Sequence, residues 1–424
     1  MTTSNPSSRV AGDPTVHDGR TFVVVGAGLA GARAVEAWHE RGFTGKVVLI
    51  GDEAEPPYER PPLSKGYLNG TDDRDSVFVH PAEWYADHGV DLRMWTRVTA
   101  IDPVGHQVDL QDGRSIHYDK LLLTTGSRPR PFPGLPDALP NVHYLRRLTD
   151  SDTLKGVLAT AGSVVVVGAG WIGLEVAAAA RTAHRPVTVI ESAELPLLRV
   201  LGREAARVFA DLHSEHGVDL RLGVAIDQFV VEDGRAKAVR LADGTVVEGH
   251  EFVVGIGVVP NVELAAAAGL DVDDGVVVDA SLRTSDPDIF AAGDVARAAH
   301  PLLGRSIRVE HWANADRQPA VAAAAMLGDE VRYDRLPYFF TDQYDLGMEY
   351  TGYVEPDGYD EVVFRGDVGR REFIAFWLRD GRVLAGMNVN VWDVTDAISA
   401  LIRSGRPVDS ARLADVDVPL DTMG

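Results

Sequence analysis

Two glycine triplets carry the first chemical signal in this chain of 424 residues. Gly26, Gly28 and Gly31 lie in TFVVVGAGLAGARAVEAW (21–38), and Gly168, Gly170 and Gly173 lie in SVVVVGAGWIGLEVAAAA (163–180). Both have GxGxxG spacing. A tight glycine turn of this kind lets a pyrophosphate approach the free N–H groups at a helix N-terminus. One copy alone serves close packing as readily as ligand binding. Two copies, each between a β-branched run and a helical segment, point to two dinucleotide sites on one chain.

Acidic residues refine the two sites. Glu191 follows the run VTVI, 18 residues after Gly173. A carboxylate there accepts hydrogen bonds from both hydroxyls of an adenosine ribose and repels a 2′-phosphate, so this site should prefer NAD to NADP. In the first copy Gly51 holds the corresponding place and the acid is Asp52, either a ribose ligand or a solvated acid of the loop GDEAE. Between the copies, EPPYERPPLSKGYL (55–68) has two proline pairs that predict a stiff, extended path ending in Ser64 and Lys65. That composition fits a rigid loop, or a lysine delivered to a cofactor. Gly293 and Asp294 end SLRTSDPDIFAAGDVA (281–296) before helix-forming residues. An acid there could bond the hydroxyls of a sugar alcohol chain at a helix N-terminus.

The elements that must hold these residues are legible around them. TFVVV (21–25), KVVLI (46–50), SVVVV (163–167) and VTVI (187–190) read as buried parallel strands, with Ala-rich helices between them. YDKLLLTTGSRPR (118–130) and EGHEFVVGIGVVPN (248–261) each read as an apolar strand ending in a Gly turn and a Pro, the outline of a crossover between nucleotide domains. After about residue 330 the texture changes. Alternating β-branched and aromatic residues with Asp-Gly turns predict antiparallel strands, and VTDAISALIRSG predicts a final helix.

Composition bounds the function. The length calls for two or three domains, and 45% hydrophobic with 25% charged residues is ordinary for a globular protein. A net charge of −22 argues against general nucleic-acid binding. No apolar run is long enough to span a membrane, and the opening residues read as a disordered tail rather than a targeting peptide, so the expected location is cytoplasmic. There is no cysteine. That excludes disulfide exchange, a cysteine nucleophile, and thiolate ligation of zinc or an iron–sulfur cluster, and no metal site is expected.

Taken together, RPPLSK, TGSRPR, GAGWIGLE, TSDPDIFAAGD, EHWANA and DQY, in that order over about residues 20–400, give a specific resemblance. The chain resembles the FAD-dependent NADH:ferredoxin reductase family of bacterial oxygenase systems, of the putidaredoxin reductase, rubredoxin reductase and dioxygenase ferredoxin reductase type, with apoptosis-inducing factor as a relative. The resemblance implies an α/β fold of two Rossmann-like dinucleotide-binding domains, glutathione-reductase-like, with a C-terminal α+β domain. The implied division is a disordered tail at 1–19, FAD-binding parts at 20–129 and 257–330, an NAD-binding domain at 130–256, and a third domain at 331–424.

By the same resemblance FAD meets Gly28, Ala30, Asp52, Lys65, Val98, Arg146, Asp294 and Trp312, and NADH meets Gly170, Trp171, Ile172, Glu175, Glu191 and Gly257. Lys65 is implied to lie near flavin N5, paired with Glu175. A cation there would stabilise the charge of reduced flavin. The implied partner is a small iron–sulfur ferredoxin or rubredoxin that feeds an oxygenase. Direct reduction of oxygen and an apoptosis-factor-like, redox-switched binding role stand as alternatives. Arg305, Arg308, Arg317, Arg332 and Arg335 cluster around EHWANA and are candidates for a basic docking face, with Trp312 near the electron exit. Two stretches depart from the family pattern: Phe340 stands where many relatives have tryptophan, and GMNVNVWD replaces a more usual valine–asparagine–arginine stretch.

Overall fold

In the computed structural model, which describes residues 18–136 and 139–423, the two β-branched runs lie at the centres of two parallel sheets. Most of the tail expected at 1–19 lies outside the described residues. The first sheet has the order Ile289–Ala291, Lys120–Leu123, Thr21–Val25, Lys46–Ile50, Val90–Arg93, with every neighbouring pair parallel. The second has the order Asp219–Leu222, Val187–Glu191, Val164–Val167, Glu251–Val254, Val142–His143, again all parallel. Helices cover such sheets on both faces, so their central strands carry no polar side. Phe22, Val23, Val24 and Val166 accordingly have no exposed surface.

The first sheet is completed by a strand, Ile289–Ala291, that comes after the whole second sheet. The chain leaves and returns through Ser127–Pro129 and Val258–Pro260, which pair antiparallel. Helix Leu29–Glu40, which opens at the first glycine turn, packs on helix Trp312–Met326, and an Arg33–Asp316 ion pair of 2.8 Å joins them.

A five-stranded antiparallel sheet forms the third unit, in the order Tyr338–Gln343, Leu346–Gly352, Arg382–Val389, Glu372–Arg379, Glu361–Asp367. Asp380 and Gly381, both at positive φ, make the two-residue turn between its longest strands. One face takes Ile398 and Leu401 of helix Thr395–Ser404. The other buries Tyr350 and Trp377 against Leu174 and Phe209 of the unit built on the second parallel sheet, and Trp377 Nε1 donates to Leu201 O at 3.0 Å. The sheet is therefore fastened to the unit that carries the second glycine turn.

Two local expectations are corrected. Pro61–Ser64 is a turn of 3₁₀ helix rather than an extended path, because proline at the first helical positions needs no N–H partner and already has a helical φ. Gly293–Val295 is followed by strand Ala296–His300 and not by a helix. Pairing with Val276–Val278 and Arg305–Ile307 overrides the helical preference of its alanines.

Candidate active site

Each glycine of a triplet has a separate task. Gly26 and Gly168 sit at φ of +120° and +99°, and a Cβ there would stand 2.2 Å from Thr124 O and 2.4 Å from Gly255 O. The turn therefore requires glycine. At Gly31 and Gly173 a Cβ would stand 2.3 Å from Gly26 O and 2.1 Å from Gly168 O, so these two let helix and turn pack together. A Cβ on Gly28 would meet nothing within 4 Å, and one on Gly170 only Gly255 O at 4.0 Å. The middle glycines face open space, as a turn that receives a ligand must.

That space is a cavity of about 550 Å³ beside the first turn. Gly26, Gly28, Ala30, Asp52, Lys65, Arg146, Asp294 and Trp312 all line it. Asp294 accepts Arg146 Nη2 at 2.8 Å and Ser127 Oγ at 2.7 Å. Burial opposes its charge, but Arg146 and the Ser127 hydroxyl outweigh it and hold the carboxyl below its usual range. Burial pushes the Arg146 guanidinium down, with Arg60 close by adding repulsion. Asp52 lies half-exposed, 3.2 Å from Arg147 and 3.5 Å from Arg97. Its neighbour Glu53 is bound to Tyr58 and Arg60 instead.

Lys65 Nζ donates to Glu175 Oε1 at 2.8 Å, and both residues line the same cavity. The loop after Pro61–Ser64 brings the lysine, and helix Trp171–Thr182 brings the glutamate. Two hydroxyls complete the carboxylate: Ser64 Oγ donates to Oε2, and Thr341 Oγ1 donates to Oε1 at 2.6 Å. Glu175 is 3% exposed, so its charge is held by these three donors rather than by water. The ammonium also lies over the Phe340 ring, 5.4 Å from its centroid.

A second cavity of about 500 Å³ adjoins the second turn, lined by Gly168, Gly170, Trp171, Glu191 and Gly257 among others. Glu191 is fixed by two backbone donors, Ala169 N at 2.8 Å and Ala193 N at 2.9 Å. Gly170, Trp171, Val200, Gly255 and Gly257 belong to the walls of both cavities. The two cavities therefore share a junction, and Glu175 and Ile172 stand on the first-cavity side of it.

Residues 20–319 match the model of the family described as pyridine nucleotide-disulphide oxidoreductase, and residues 338–424 match the reductase C-terminal model. The chain belongs to the pyridine nucleotide-disulphide oxidoreductase family. Within it the chain is 40% identical to rhodocoxin reductase of Rhodococcus erythropolis, over 94% of this chain and 93% of that one. It is 43% identical to the anthranilate 1,2-dioxygenase system ferredoxin–NAD(+) reductase component of Burkholderia cepacia, over 95% and 98%. The crystal structure of the covalent putidaredoxin reductase–putidaredoxin complex superposes with a TM-score of 0.90 at 38% identity, covering 95% of this chain and 97% of that one. This reductase thus has FAD and NAD(H) as its cofactors. Having no cysteine, it cannot perform the disulfide chemistry for which the family is named.

The residues present fit both groups. The open sides of Gly28 and Gly170 leave room for a phosphate at each turn. Buried Arg146 Nε and His311 Nδ1, on residues lining the first cavity, have no hydrogen-bond partner among the described residues. Among the residues implied for FAD, Val98 alone does not line the first cavity. Its side chain is buried in the core of the first unit, because strand Val98–Asp102 turns that position inward.

The five arginines do not form one free face. Arg308 is almost buried and pairs with Glu310 and Asp274, and Arg305 pairs with Glu355 at 2.6 Å. Arg317 stacks over Tyr338 at 5.3 Å. Sequence reasoning missed Thr341, Arg60 and His311. Nothing local marks Thr341, which meets a carboxylate 166 positions away. Arg60 and His311 carried a usable signal, since they are themselves the first residue of RPPLSK and the second of EHWANA.

No helix of the described residues is long and apolar enough to cross a membrane.

Proposed function

We propose that this reductase takes hydride from NADH at the second site and passes electrons through FAD at the first to a small iron–sulfur ferredoxin serving an oxygenase. The carrying observation is the shared wall of the two cavities with the Lys65–Glu175 pair beside it. FAD, when bound, accepts a hydride and releases electrons one at a time. The chain supplies orientation and charge. Gly26, Gly28, Ala30, Asp52, Arg146, Asp294 and Trp312 would hold the FAD, and Gly170, Trp171, Ile172, Glu191 and Gly257 would hold the NADH. Glu191, pinned by two backbone N–H groups, presents its remaining lone pairs to ribose hydroxyls. Lys65, kept in place by a buried carboxylate, would stabilise negative charge delivered to the first cavity.

The acceptor follows from the relatives. One is the ferredoxin–NAD(+) reductase component of an anthranilate 1,2-dioxygenase system, and the matched crystal structure holds a reductase with putidaredoxin. A cytoplasmic location accords with dependence on NADH. The test is steady-state turnover with NADH, a [2Fe–2S] ferredoxin and cytochrome c, with oxygen followed in parallel. Cytochrome reduction should require the ferredoxin and proceed with little oxygen uptake. Rapid oxygen consumption that ferredoxin does not suppress would favour an oxidase instead.

A further inference from the structure

Glu175 does not end at its three donors. Thr341 Oγ1, which donates to Glu175, itself accepts Gln343 Nε2 at 3.1 Å. Gln343 Oε1 accepts His213 Nε2 at 2.8 Å, and His213 Nδ1 faces Tyr344 Oη at 3.3 Å. Thr341, Gln343 and His213 are each no more than 1% exposed. An amide oxygen only accepts, so His213 carries its proton on Nε2. Burial keeps the ring neutral by pushing its pKa down to about 4, so Nδ1 accepts from the tyrosine. Every link then points one way, from Tyr344 through His213, Gln343 and Thr341 to Glu175.

The chain crosses the molecule. His213 is on helix Leu198–Glu215 of the unit built on the second parallel sheet, Thr341 and Gln343 are on the first strand of the third unit, and Lys65 belongs to the first. A buried hydroxyl with its acceptor side occupied by Gln343 has one direction left for its proton, toward Glu175. We propose that Thr341, set by Gln343 and His213, is a positioning residue that fixes the Glu175 carboxylate and through it the Lys65 ammonium, so that the third unit tunes the charge at the first cavity. This rests on the reading that Lys65 serves the bound FAD.

The experiment is a double-mutant cycle on the purified holoenzyme, with flavin content checked first and the midpoint potential of the bound flavin as the main readout. Thr341→Val keeps the shape and removes the hydroxyl. It should lower the potential in the same direction as Lys65→Ala and slow flavin reduction by about three- to tenfold, with the NADH dissociation constant little changed. Thr341→Ser should restore both. The Lys65→Ala/Thr341→Val double variant should fall no further than Lys65→Ala alone, the mark of a residue acting through Lys65.

If Lys65→Ala shifts the potential and Thr341→Val does not, the positioning role is overturned while the reading of Lys65 stands. Losses that simply add in the double variant overturn it too, since Thr341 would then act independently of Lys65. If Lys65→Ala itself leaves potential and rate unchanged, the reading fails and the proposal falls with it.

Discussion

Replacing Glu191 by glutamine removes one charge from the second site and little volume. The carboxylate is held by Ala169 N and Ala193 N, so it cannot swing away from a nucleotide in that cavity. Counting one net unit of charge on a 2′-phosphate at about 5 Å, with an effective dielectric of about 20, it repels that group by roughly 3 kcal/mol. The residue is only partly buried, and screening reduces this by about half. NADPH also forfeits ribose hydrogen bonds to a charged acceptor, worth roughly 1.5–3 kcal/mol. Together these favour NADH by about 3–4 kcal/mol, a few hundredfold in kcat/KM. Glu191→Gln removes the repulsive part and should narrow the ratio by roughly tenfold, mainly through KM. The assay is steady-state ferricyanide reduction with each nucleotide, on variants whose melting temperature is unchanged. Equal use of both nucleotides by the unaltered protein, or a ratio that the substitution leaves unmoved, would refute the reasoning.

Three further outcomes follow from the geometry. Gly28→Leu would fill the open side of the first turn, and Gly31→Ala would press a methyl against Gly26 O at 2.3 Å. Both should yield protein that purifies with little flavin, read from its visible absorbance. Arg317→Glu, on the helix that starts at Trp312, should weaken ferredoxin-dependent cytochrome reduction most at low salt and leave ferricyanide reduction intact. The same reversal at Arg308 should instead lower the melting temperature, because that side chain is nearly buried between two carboxylates. Acid should also destabilise the fold. Burial holds His213 at about 4, below its unfolded value near 6.5, so between those values the unfolded chain binds the extra proton and stability is lost as pH falls. By pH 5 the loss from this one group is about 2 kcal/mol, visible as a lower urea midpoint that His213→Gln makes less pH-dependent.

Much of this architecture was legible because its signals are local. A β-branched run, a glycine triplet and an Ala-rich segment state a strand, a turn and a helix within twenty residues, and both copies fold that way. The Asp380-Gly381 hairpin and the last helix were equally plain. What stayed hidden depends on distance along the chain. The Arg146–Asp294 pair spans 148 positions, and the hydroxyls on Glu175 come from 111 and 166 positions away. No periodicity encodes such meetings. The strand after Asp294 was misread for the same reason, since its partners, not its alanines, decide its shape. Three of the arginines show the converse: neighbours in sequence, Arg305 and Arg308 are taken up in ion pairs and Arg317 lies over a ring face.

If two electrons pass from NADH through this protein to ferredoxin, counting them tests that path most directly. The holoenzyme would be mixed under anaerobic conditions with a limiting amount of NADH and excess oxidised [2Fe–2S] ferredoxin, and the reduced iron–sulfur signal measured at completion. A hydride carries two electrons and each such cluster accepts one, so about two ferredoxins should be reduced per NADH, and admitting air during turnover should divert little to peroxide. Ferredoxin that stays oxidised while NADH is consumed, with peroxide formed in equal amount once air is present, would contradict it.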